Sequence, residues 1–99
     1  MDASPFHDLR THLDSSGRLV RWPSRRRLKN LALSYLAGEF DPGRDYTERQ
    51  VNEILLARHT FEDVALLRRE LFEAGFLGRE RDCSRYWRAV PPPENPAES

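Results

Sequence analysis

Residues 47–75, TERQVNEILLARHTFEDVALLRRELFEAG, decide the fold. Thr47 followed three residues later by Gln50 is a capping box, in which two backbone donors left open at a helix start are satisfied reciprocally. Val51, Ile54 and Leu55 then share one helical face, and the helix is expected to end near Arg58. Thr60, with Asp63 three residues on, reads as the next start. Phe61, Val64, Leu67, Leu71 and Ala74 form the stripe of that second helix. Gly75 is its stop, because glycine accepts the left-handed backbone that ends a helix. Only a couple of residues then separate the two helices, which is the spacing of a helix-turn-helix.

Working outward, Arg18 to Trp22 reads as extended and halts at Pro23, since the residue before a proline avoids helical geometry. Ser24 is placed to cap a helix running to about Ala37, with Leu28, Leu31, Ala32, Tyr35 and Leu36 at helical core spacing and Gly38 as its stop. The loop 39–45 carries a Pro42-Gly43 turn, and Tyr46 fits a strand of one or two residues. Beyond Gly75, Phe76–Arg81 and Arg85–Val90 read as two strands around Asp82-Cys83-Ser84. The two-residue period puts Leu77, Arg79 and Arg81 on one face of the first, and Tyr86, Arg88 and Val90 on one face of the second. At the other end, Ser4 and Pro5 cap and open a short helix over residues 4–14 with Phe6, Leu9 and Leu13 as its stripe, separable from the rest of the chain.

The expected fold is therefore α+β and winged helix-turn-helix-like: three core helices plus a C-terminal β-hairpin, with an extra N-terminal helix. Residues 1–16 form a helical extension, 17–90 the winged-helix-like domain, and 91–99 a disordered proline-rich tail.

The chain has 99 residues, 38% apolar and 32% charged, enough for one domain with one core. Sixteen basic residues balance sixteen acidic ones. A net charge of zero argues against non-specific polyanion binding, which calls for a basic excess. The charge is nonetheless segregated: Arg18–Asn30 holds six cations and no anion, whereas Leu31–Gly75 holds nine anions and five cations. Fifteen of the sixteen cations are arginine. That is a preference for planar, bidentate contacts to phosphate or carboxylate, or the codon bias of a GC-rich genome. The single Cys83 fits a reducing compartment. No apolar run approaches a membrane span and the first residues do not resemble a secretory signal, so a cytoplasmic location is expected.

Several separated stretches resemble a bacterial domain-of-unknown-function family, number 2087: Gly17-Arg18-Leu19-Val20-Arg21-Trp22-Pro23-Ser24, Tyr35-Leu36, Tyr46-Thr47-Glu48, Val51-Asn52-Glu53-Ile54, Leu67-Arg68-Arg69-Glu70-Leu71 and Tyr86-Trp87-Arg88. The resemblance covers roughly residues 17–90. It implies a link to transcriptional regulators, because members occur alone or fused behind helix-turn-helix domains of the ArsR type. It brings no activity with it. Where the family pattern has glycine in the hairpin turn, this chain has Cys83.

The functional expectation is a non-enzymatic binding domain. Arg21, Arg25, Arg26, Arg27 and Lys29 stand at or near a helix start, where arginine and the terminal amides together suit phosphate. Arg69, exposed on the second helix of the pair, and Arg81 and Arg85 on the hairpin extend this nucleic-acid-binding set; a hairpin with arginines suits a minor groove. Arg68, close to the apolar stripe, suits a buried anchor. Glu62 and Asp63 at the leading end of the expected recognition helix would repel phosphate, which disfavours the usual winged-helix docking mode. The alternative is a protein-interaction or dimerisation module using Leu66, Phe72 and Trp87, with itself or a transcriptional regulator as partner. Each set also has a plain explanation: arginines paired with the acidic body, aromatics covering the core, Leu66 and Phe72 lying under the first helix. His7, His12, His59 and Cys83 lack metal-ligand spacing, and His59 is expected to be a surface or loop residue. No nucleophile elbow or phosphate-binding glycine loop is present. No cofactor or metal is expected, and no membrane.

Overall fold

A computed structural model describes residues 6–93. The expected caps Ser4 and Pro5, and the tail from Glu94 onward, lie outside these residues. The architecture is α+β: a leading 3-10 helix (His7–His12), three α-helices, α1 (Arg26–Ala37), α2 (Glu48–Leu56) and α3 (Val64–Glu73), and strands β1 (Asp45–Tyr46), β2 (Leu77–Arg79) and β3 (Tyr86–Arg88). The strands form one antiparallel sheet in the order β1-β3-β2.

Helix α2 starts where its capping box places it: the Thr47 hydroxyl accepts from the Gln50 N–H, and the Gln50 side chain accepts from the Thr47 N–H. Helix α3 does not start at Thr60. Its cap is Asp63, whose carboxylate accepts from Leu66 N–H. Phe61 and Glu62 therefore belong to a loop, with Glu62 in the left-handed region at φ 53°. The reason is tertiary. Leu19 inserts an isolated β-bridge against His59: its N–H donates to the Arg58 carbonyl, and its own carbonyl accepts from Thr60 N–H at 2.9 Å. Thr60 is thus turned toward Leu19, whose carbonyl its hydroxyl also approaches at 3.5 Å, and the left-handed backbone of Glu62 keeps a helix from running on from it. His59 is buried at 4% exposure, not a surface residue. Its Nδ1–H donates to the Leu55 carbonyl and its Nε2 accepts from Asp63 N–H, so one ring plugs the α2–α3 connection.

Helix α1 begins after Arg25, which makes no side-chain capping bond; Ser24 is not the cap. Its buried face is Ala32, Leu33, Leu36 and Ala37, while Leu28, Leu31 and Tyr35 are half-buried. The contact face is thus turned toward Leu33 and Ala37. The first segment is a 3-10 helix shorter than expected, and it does not stand apart. Leu9 is fully buried in the common core, Leu13 bridges Leu19, and Phe6 meets the Tyr35 ring edge-on at 5.2 Å. Gly17 sits at φ 80°, and its carbonyl accepts from the Tyr35 hydroxyl and the Arg58 guanidinium. An added Cβ there would fall 2.8 Å from that hydroxyl, so another residue would be strained and would have to push Tyr35 aside.

The hairpin is shorter than the expected strands, and its register sorts the faces. Leu77 pairs with Arg88 and Arg79 with Tyr86, while Tyr86 also pairs with Tyr46 on its other side. Directly paired residues share a face, so Leu77, Tyr46 and Tyr86 point to the core, where all three are buried. Gly78, Trp87 and Asp45 form the outer face. Arg81 and Val90 fall beyond the strands, and Val90 is 66% exposed. In the turn, Cys83 takes φ 62°, the left-handed position that glycine would occupy without strain. Asp82 supports it by accepting from Ser84 N–H. At the close of the fold, Pro93 lies beside Gly75.

Trp87 lies flat across Gly78, and a Cβ at Gly78 would sit 2.4 Å from the indole. Gly78→Ala should therefore displace Trp87 and destabilise the fold by about 1–3 kcal/mol, read by denaturant unfolding together with a shift in tryptophan emission. An unperturbed emission spectrum and midpoint would show that the indole has room.

Candidate nucleic-acid interface

Sixteen cations are available, and the fold uses many of them for itself. Arg58 is half-buried between Gly17, Tyr35 and Glu39. Arg68, the expected anchor, donates to Asn52 and lies 3.7 Å from Glu48, which in turn accepts from the Tyr86 hydroxyl. This network joins α2, α3 and β3. Arg88 donates to the Phe40 carbonyl and ties the end of α1 to the sheet. Arg79 lies over the Phe72 ring at 3.9 Å. Arg10, Arg18 and Arg44 make local contacts to the His7 carbonyl, Asp14 and Asp41.

Two members of the expected phosphate-binding set belong to this structural group. Arg27 is paired with Asp8 of the 3-10 helix at 2.5 Å. That hydrogen bond and the guanidinium charge hold the Asp8 carboxyl below its usual range. Arg85 is clamped by Glu80 and Asp45, which raise its own value in that order, and it lies over the Trp87 ring at 4.8 Å. Trp87 is thus enclosed between Gly78 and Arg85 and does not offer an open stacking platform.

The remaining cations differ. Among the described residues, the side chains of Arg21, Arg25, Arg26, Lys29, Arg49, Arg69 and Arg81 make no ion pair, side-chain hydrogen bond or ring contact. Four of the seven lie between residues 21 and 29, at the entry to α1. Helix α1 has no acidic residue in its first turn and no capping side chain, so its amide ends and its cations repel one another. Arg21 also acts on its surroundings: after burial, its charge is the second cause that keeps His12 below its ordinary value.

The free cations do not face open water alone. A groove of about 480 Å³ runs between α1 and α3, with Arg26 and Lys29 on one wall, Glu70 and Glu73 on the other, and Leu33 and Ala74 between them. No ion pair crosses it among the described residues. Arg69 is exposed on α3, as expected, and Arg81 is exposed in the hairpin turn; both stand in segments separate from the α1 entry.

The expected partner patch is only partly open. Leu66, Phe72 and Trp87 are all half-buried, and Phe72 is roofed by Arg79. The large apolar side chains most exposed are Val20, Leu56 and Val90. Leu56 follows the inward-facing Leu55 at the end of α2, and helical spacing could have singled it out. Val90 carried the opposite signal, because strand alternation grouped it with buried Tyr86. Among the described residues, no group of three or more His, Cys, Asp or Glu side chains is placed to hold a metal, and no helix is long and apolar enough to cross a membrane.

Burial is the first cause pushing the Tyr86 hydroxyl above its ordinary value of 10.0, with Cys83 and Glu48 acting the same way. A raised folded-state value means that stability is intact below pH 10 and falls as the pH climbs through that value. Tyr86→Phe should flatten this alkaline decline in thermal melts, at a cost of about 1 kcal/mol at neutral pH from the lost hydroxyl bond. Two adjacent arginines should likewise separate. Arg68→Ala should cost about 1–3 kcal/mol, because Asn52 and Glu48 lose their partner, whereas Arg69→Ala should stay within about 0.5 kcal/mol. Equal losses in chemical denaturation would contradict the division between structural and free arginines.

Residues 18–88 match the family described as an uncharacterized protein conserved in bacteria (DUF2087), and the chain belongs to that family. No curated protein and no solved structure matches it.

Proposed function

We propose that this bacterial family member is a non-enzymatic, winged-helix-like binding domain that holds nucleic-acid phosphates at the entry to α1, in the service of transcriptional regulation. The carrying observation is the segregation of unengaged cations: Arg21, Arg25, Arg26 and Lys29 are left free together, while Arg27 and Arg85 are neutralised by Asp8, Asp45 and Glu80. The chain order supports the winged-helix reading. Helix α1, the short strand β1, the pair α2 and α3, and the β2–β3 hairpin follow one another in that sequence.

The usual winged-helix mode, with the second helix of the pair in the major groove, has poor support here. Helix α3 opens on the Asp63 carboxylate behind exposed Glu62, and its exposed face offers Arg69 as its one unengaged cation among the described residues. Contacts at α1 would go to the backbone, and backbone contacts position a protein without reading sequence. The competing reading, a self-associating module through Leu66 and Phe72, is weakened by the guanidinium over Phe72.

The test is the triple variant Arg25→Glu/Arg26→Glu/Lys29→Glu. Glutamates in the first turn of a helix favour its dipole, so the melting temperature should hold while a salt-dependent gel shift of DNA disappears. The salt slope of log affinity should fall by roughly one for each phosphate contact removed. A triple variant that shifts DNA as the parent does would refute the proposal.

A further inference from the structure

We infer that Glu70 and Glu73 of α3 act as a built-in counter-wall that sets how strongly the α1 cations hold phosphate. The inference rests on the reading above and deepens it. Both carboxylates line the groove whose opposite wall carries Arg26 and Lys29. They do not close on those cations, since no ion pair spans the groove among the described residues. The arrangement differs from Arg27 with Asp8 and Arg85 with Glu80, where contact withdraws the guanidinium from other partners. Across the groove, the cations keep their donors free and feel the opposing charges only through solvent.

A phosphate that enters meets attraction from one wall and repulsion from the other. The physical result is a site weaker and more readily released than Arg26 and Lys29 alone would make it. Each carboxylate acting through water should lower affinity by about two- to threefold at low salt. The effect should fade as the screening length shrinks to about 8 Å at physiological ionic strength. Glu70 and Glu73 are thus affinity-setting residues that need not touch the ligand.

The experiment measures binding of a fluorescein-labelled, mixed-sequence DNA duplex by anisotropy across a salt series. It compares the parent protein, Glu70→Gln/Glu73→Gln, and a charge-matched control, Glu53→Gln/Glu62→Gln, whose exposed carboxylates line neither wall and make no ion pair among the described residues. The groove pair should tighten binding about fivefold at low salt, lose that gain at high salt, and lose it also when combined with Arg26→Ala/Lys29→Ala. The control pair should move affinity by less than half as much on a logarithmic scale. Equal tightening in both pairs would overturn the inference, because net charge alone would then account for it. An unchanged groove pair, alongside lost binding in the α1 variants, would also overturn it and leave the phosphate reading standing. If neither parent nor groove pair binds at the lowest salt, the phosphate reading itself fails and this inference falls with it. Binding gained only in the groove pair would support it.

Discussion

The fold depends on one residue's backbone. Leu19 uses its N–H on Arg58 and its carbonyl on Thr60, with Leu13 bridged on its other side and its own side chain fully buried. An unpaired buried backbone group would be costly, so both groups of this residue must find partners. Supplying them ties the α2–α3 connection to the segment that leads through buried Pro23 into the basic entry of α1. His59 completes the arrangement by satisfying Leu55 and Asp63 from a single ring.

Where structure depends on neighbouring residues alone, the sequence was readable. Thr47 and Gln50 need only each other, and the helix appears where they place it. The stop at Gly75, φ 85°, is local in the same sense. Thr60 and Asp63 are both good caps, and the choice between them is made by Leu19, forty-one residues from Thr60 along the chain. The α1 stripe named Leu28 and Tyr35 but missed Leu33 and Ala37, because helical spacing gives the period of a face while the neighbours fix its direction. Burial of His59 left no local mark at all.

The candidate site divides along the same line. That residues 18–30 are basic is visible in the sequence. Which guanidiniums remain available is not, because their partners are remote: Asp8 lies 19 residues from Arg27, and Asp45 lies 40 from Arg85. Six neighbouring cations of similar chemistry thus resolve into some that staple the fold and some that face outward. A net charge of zero hides this division, since exposed and engaged charges count alike in the sum.

The flat seat of Trp87 on Gly78 has a consequence for how the chain threads itself. Sliding β2 by one position against β3 would bring Leu77 or Arg79 beneath the indole, and neither leaves the clearance that the missing side chain provides. The same slip would turn Leu77 outward from the oily interior. The ribbon therefore has one vacant notch and one blade that fits it. A three-residue pairing this short could otherwise settle in several alignments. Here shape alone selects one alignment.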